Sequence, residues 1–118
     1  MPNRIIKESI RTACRTNQYK GAHLKAKNEQ KVLAEIYEQL GRLRITRPVR
    51  MRYRWYEKDR RRDLDNVSSF GRKVIQDALV QTHVLQNDGW KEITGFSDEF
   101  FVDADNPRIE IEIEEKGL

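Results

Sequence analysis

From Val49 to Trp55 the apolar residues fall on every second position, Val49, Met51, Tyr53 and Trp55 on one side and Arg50, Arg52 and Arg54 on the other. That period of two predicts a strand with one buried face. Ile109–Glu114 repeats the pattern, with Ile109, Ile111 and Ile113 set against Glu110, Glu112 and Glu114. Between Ala22 and Leu40 the apolar positions Leu24, Val32, Leu33, Ile36 and Leu40 recur at helical spacing, and Gly41 is a suitable stop. Val67, Phe70, Val74, Ile75, Ala78 and Leu79 mark a second helix, from about Asp65 to about Thr82. Lys91–Val102 contains a further strand, and Asp105-Asn106-Pro107 reads as a tight turn into the last one. Met1–Thr12 is ambiguous, since Ile5, Ile6 and Ile10 suit either a short helix or a frayed strand, while Arg15–Gly21 has loop composition. The order of helix, strand, helix and hairpin predicts an α/β fold of the mixed α+β kind. Its sheet would have three to four strands with two main helices packed on it. No repeat, linker or low-complexity tract divides the chain, so residues 1–118 are expected to form a single domain.

Composition makes that domain thin. Of 118 residues, 37% are hydrophobic and 36% charged, against roughly 45–50% and about 25% in an average soluble domain. A thin core favours a second subunit covering one apolar face. No run approaches the ~20 apolar residues that cross a bilayer, and there is no signal-peptide core, so a cytoplasmic protein without a membrane partner is expected. Cys14 is the single cysteine, and His23 and His83 lie far from it and from each other. An internal disulfide is excluded, and a structural zinc site is not expected.

Charge is distributed unevenly. Residues 1–31 carry a net +6, residues 32–41 a net −2, residues 42–62 a net +8 and residues 63–118 a net −8. A polyanion touching the first half, with carboxylates gathered for another task in the second, accounts for this polarity. Mutual neutralisation of the two halves accounts for it as well. If the two alternating strands are neighbours, Arg50, Arg52 and Arg54 face Glu110, Glu112 and Glu114 in a cross-strand ladder, leaving no arginine stripe for nucleic acid. Arg60, Arg61, Arg62, Lys20, Lys25 and Lys27 are then the better candidates for phosphate contacts.

The most informative segment is Asp59–Asn66, DRRRDLDN. Three arginines run into Asp63 and Asp65, and in an extended stretch positions i and i+2 project to the same side. Two carboxylates together repel unless a cation joins them. Mg2+ prefers oxygen ligands and keeps positions open for water and substrate phosphate, while the arginines supply counter-charge to a phosphodiester. These are the parts of a metal-dependent nuclease. A plainer role exists for one aspartate, as the cap of the helix that follows. A calcium EF-hand loop fails, because Ser68 and Val74 stand where it needs glycine and glutamate. Asp88, in Leu85-Gln86-Asn87-Asp88-Gly89-Trp90, could supply a third carboxylate by folding back or by coming from another subunit. It also suits an ordinary Asn-Asp-Gly turn. Asp77, Asp98, Asp103 and Asp105 read as surface or turn residues.

DRRRDLDN, an amphipathic helix ending in QDAL, and VLQNDGW together resemble the RusA-type Holliday junction resolvases, a family common in prophages. The resemblance covers roughly residues 15–115. It implies a small mixed α/β homodimer that cleaves four-way DNA junctions by symmetric paired nicks, with Mg2+ (or Mn2+ in its place) and no small-molecule cofactor. By motif, Asp63, Asp65 and Asp88 match the acidic metal-binding and catalytic positions. The family's functional lysine stands one turn after the second motif aspartate. Here that position is Ser69, and Lys73 comes one turn later, where it can occupy a similar face or stand as a solvated helix residue. The Pro-rich opening strand of many relatives is not visible in Met1–Thr12.

The expected activity is therefore that of a homodimeric crossover junction endodeoxyribonuclease serving DNA recombination and repair. Asp63, Asp65 and Asp88 would be its metal ligands, Lys73 a charge-neutralising catalytic residue, and the six basic residues its backbone contacts. Three alternatives stay open: a non-catalytic module binding branched DNA, a flap or branched-DNA nuclease of the same fold, and a protein-binding domain.

Overall fold

In a computed structural model, residues 3–10, 22–61 and 63–117 are described, with the side chains of residues 22–28, 66 and 67 outside the description. Six elements follow one another: β1 (Arg4–Ile10), α1 (Ala22–Leu40), β2 (Val49–Glu57), α2 (Leu64–Gln81), β3 (Ile93–Val102) and β4 (Arg108–Glu115). The four strands form one sheet in the order β1-β4-β2-β3. β4 is antiparallel to both β1 and β2, whereas β3 runs parallel to β2 after the α2 crossover.

Of the ambiguous first twelve residues, Arg4–Ile10 form a strand; residues 1–2 and 11–12 lie outside the described residues. Ile6 and Ile10 pair with Ile113 and Ile109 on the inner side, while Glu8 takes the inward position between them and Ile5 is half-exposed. The expected hairpin of the last two strands does not form. Asn106 N–H donates to Asp103 Oδ1 in the turn that the Asp-Asn-Pro signal marks, but the chain leaving it crosses over β2, which lies between β3 and β4. Arg108 fixes that crossing, donating to Asp103 Oδ2 at 2.8 Å and lying 3.8 Å over the Tyr56 ring.

Register explains the two layers. Met51, Tyr53 and Trp55 align with Ile113, Ile111 and Ile109, and all six are buried. On this face pack Val32, Ile36 and Leu40 of α1 with Val74, Ile75, Ala78 and Leu79 of α2. Gly71 brings α2 close to the sheet, because a Cβ there would stand 2.7 and 2.9 Å from the Trp55 ring. On the opposite face Arg50, Arg52 and Arg54 align with Glu114, Glu112 and Glu110. Arg52 reaches Glu112 at 2.8 Å and Glu114 at 3.1 Å, Lys7 reaches Glu112 at 3.8 Å, and Arg54 reaches Glu99 at 3.5 Å. The arginine face is thus largely a neutralised ladder.

Candidate active site

α2 positions the acidic motif. Its first helical residue is Leu64, so Asp63 occupies the N-cap position, with the extended backbone usual there (φ −63°, ψ 149°). The Asp63 carboxylate makes no capping hydrogen bond, so the plainer role suggested for it is not the one it plays. Asp65 lies in the first turn, where the positive end of the helix dipole favours a carboxylate. Both aspartates are exposed.

Asp63 stands on the wall of a concavity of ≈ 500 Å³ that Glu57, Asp59, Arg60 and Leu64 share with Phe100, Phe101 and Val102 of β3. The residues before the motif form its rim. Asp59 accepts from the Arg61 backbone at 3.0 Å and lies 3.6 Å from its guanidinium, while Arg60 and Arg61 are exposed. Arg62 and Lys20, like Cys14 and the whole Arg15–Gly21 loop, lie outside the described residues. Lys25 and Lys27 fall within α1, with side chains outside the description.

Asp88 and Lys73 meet elsewhere. The Lys73 ammonium is 3.1 Å from Asp77 and 3.9 Å from Asp88, and these carboxylates, Asp77 first, hold its pKa above the usual lysine value. Lys73 lies eight residues beyond Asp65, ~12 Å further along the helix axis. Among the described residues of one chain, no group of three acidic, histidine or cysteine side chains comes together around a common point. The donor chemistry at the head of α2 still fits a hard divalent cation. Mg2+ takes one or two carboxylates and completes its shell with water and substrate phosphate.

A partly buried polar network beside this site was not anticipated. Asp98 of β3, expected at the surface, accepts from Arg72 at 2.6 Å and from the Trp55 indole at 2.9 Å. Arg72 also lies 4.4 Å over the Phe96 ring, and Gln76 donates to the Tyr53 hydroxyl at 3.1 Å. Burial pushes that hydroxyl's pKa far up, against the opposing hydrogen bond. The network ties one face of α2 to β2 and β3 and sets the helix's rotation, leaving Lys73 outward. A signal for it existed: Asp98 shares a strand side with Phe96 and Phe100, an acid where alternation calls for an apolar residue.

A sequence profile of the family described as Endodeoxyribonuclease RusA matches residues 7–114, a span containing the whole motif, Asp88 and Lys73. No curated protein matches the chain.

Proposed function

The chain belongs to the RusA endodeoxyribonuclease family, and on that premise we propose that it cleaves four-way DNA junctions by paired nicks, as a homodimer dependent on Mg2+ or Mn2+. What carries the reading is Asp63, exposed and uncapped on the wall of a cleft it shares with Arg60.

Asp63 and Asp65 would hold the cation. Bound there, it would polarise the scissile phosphate and favour attack by water. Arg60, Arg61 and Arg62, with Lys20, Lys25 and Lys27, contact the phosphate backbone and set its position without reading base sequence. Lys73, held by its hydrogen bond to Asp77, offsets negative charge growing on the phosphate, and Asp88 adds a third carboxylate where the two protomers and the DNA meet. Dimerisation supports the paired nicks, because an isologous pair offers two equivalent sites to a nearly two-fold junction. It also covers apolar surface in a chain with little core. No helix among the described residues is long and apolar enough to cross a membrane.

The decisive measurement compares nicking of a four-way junction, a flap and a linear duplex in Mg2+. Symmetric nicks in the junction, with the other two substrates left largely intact, are expected. Preferential flap cleavage would make the chain a branched-DNA nuclease of another specificity. A second reading has one observation behind it, the separation of Asp88 from the motif aspartates in a single chain. It is a module that binds junctions without cutting them, and it predicts salt-sensitive binding with no nicks in either metal.

A further inference from the structure

The indole of Trp90 is 97% exposed, and it sits two residues beyond Asp88. Two other exposed aromatics have a companion, Phe96 under the Arg72 guanidinium and Phe101 stacked on Tyr56 at 4.8 Å. Tyr37 on α1, 68% exposed, has neither ring nor cation against it among the described residues. Among the described residues no ring or cation covers Trp90. Leaving so large an apolar surface in water opposes stability, since aromatic side chains ordinarily contribute most by being buried.

The turn that presents it is tied down. Glu92 N–H and Ile93 N–H both donate to Gly89 O, at 3.2 and 2.9 Å. Asp88 N–H donates to the Asn87 side chain at 2.9 Å, and Val49 N–H on β2 donates to Glu92 O at 2.8 Å. The indole therefore projects from a backbone braced against the sheet, so little ordering is needed for it to meet a flat partner.

Its neighbours identify that partner. The residues flanking it in the chain are Gln86, Asn87, Asp88, Gly89, Lys91 and Glu92, which supply no apolar rim of the sort a protein-binding hot spot uses to exclude water. Lys91, the next residue, is exposed, and Lys73 lies 3.9 Å from Asp88, two residues before the indole. An exposed aromatic face on a braced turn, with a lysine beside it in the chain, suits stacking on nucleobases, which tolerates any sequence because every base has a π-face.

We propose that Trp90 recognises the branch itself, its indole stacking on a base face exposed at the crossover while Asp88 faces the adjacent backbone. A linear duplex keeps its base faces in the stack; a four-way junction exposes them where its arms part. Trp90 thereby supplies selectivity for branched over linear DNA that backbone contacts cannot. The inference rests on the nuclease reading, but it is tested by binding alone.

The test measures affinity for a four-way junction and a linear duplex, without divalent metal, for the full chain, Trp90→Phe and Trp90→Ala. Loss of one base stack corresponds to about tenfold in affinity. Trp90→Ala should lose about tenfold for the junction and almost nothing for the duplex, and Trp90→Phe should retain most of the affinity. Fluorescence provides a second readout, because Trp55 is buried and Trp90 is not. Junction should quench the emission that Trp90→Phe removes, and duplex should leave it unchanged. Equal losses on both substrates, or none on either, would overturn the proposal while leaving the nuclease reading in place. So would a dimer that dissociates in Trp90→Ala, which would make the indole a contact between copies. A wild-type chain that neither binds nor nicks junctions would overturn both readings.

Discussion

Lys73 and Asp88 stand 3.9 Å apart across the gap between the middle of α2 and the loop that follows it. The contact places the lysine beside the third acidic residue and not beside the motif pair, so its role can be separated from theirs. Replacing Lys73 by alanine should lower the nicking rate by about 10²–10³, the scale of losing one donor to a charged transition state, with junction affinity nearly unchanged. Arg should restore part of the rate. An unaltered rate in single-turnover cleavage would make Lys73 a solvated partner of Asp77 and nothing more.

Asp63→Asn, Asp65→Asn and Asp88→Asn should each suppress nicking by at least about 10³-fold, as removal of one member of a catalytic set does. Binding should persist or tighten, since each substitution removes a carboxylate that repels phosphate. Gel-shift and cleavage assays on the same preparations give both quantities. Near-normal nicking by either motif variant would detach the motif from the chemistry.

The two groups of arginines should behave differently. Arg52 is engaged with Glu112 and Glu114, and Arg54 with Glu99, whereas Arg60 lines the Asp63 cleft and Arg61, the next residue, is exposed. Each lost phosphate contact reduces the slope of log K against log salt by about 1. Arg60→Ala with Arg61→Ala should therefore flatten the slope by about 1–2, and Arg52→Ala with Arg54→Ala should leave it unchanged. The reverse result would make the open sheet face the DNA surface.

Much of this fold was legible because its elements bury one face each. The run Val49–Trp55 and the helix Ala22–Leu40 stand where their periodicity places them. Patterns could not reveal strand order. Local turn chemistry at Asp105-Asn106-Pro107 suggests a hairpin, and only the long-range pairing of β2 with both β3 and β4 overrides it. Glu8 hid β1 by putting a charge on its inward side. For the site, the spacing of Asp63 and Asp65 was readable because it is local, while Asp98 and Arg72 are partners 26 residues apart that no short motif connects.

Stability should fall in acid, through two carboxylates at opposite ends of the sheet. Arg108 lowers the pKa of Asp103, and Asn3 with Arg52 lowers that of Glu114. A carboxylate whose folded pKa lies below its unfolded value contributes fully above the unfolded value, and that contribution disappears as pH falls through the folded one. Urea midpoints should thus decline from about pH 5 downward. Asp103→Asn and Glu114→Gln should each flatten the decline, and parallel curves for wild type and both variants would show that these pairs contribute nothing.

Gly71→Ala offers the clearest link between packing and the site. In an exposed helix the change would stabilise by about 1 kcal/mol through propensity alone. Here the new methyl would meet the ring of Trp55, itself 1% exposed, at 2.7 and 2.9 Å. A rigid buried ring cannot withdraw, so α2 must lift. Overpacking costs about 1–3 kcal/mol, and against a rigid ring the upper part of that range, about 2–3 kcal/mol, applies. After the propensity gain of about 1 kcal/mol, the expected net loss in urea unfolding is about 1–2 kcal/mol. Lifting α2 also displaces Asp63 and Asp65 relative to the wall formed by Phe100 and Phe101, so nicking should fall with stability. Trp55→Phe presents a smaller ring to the added methyl. In the double variant the Gly71→Ala loss should shrink by at least about 0.5 kcal/mol, the coupling expected of residues in direct contact. Additive losses, or a Gly71→Ala variant as stable as wild type, would show that α2 does not depend on this close approach.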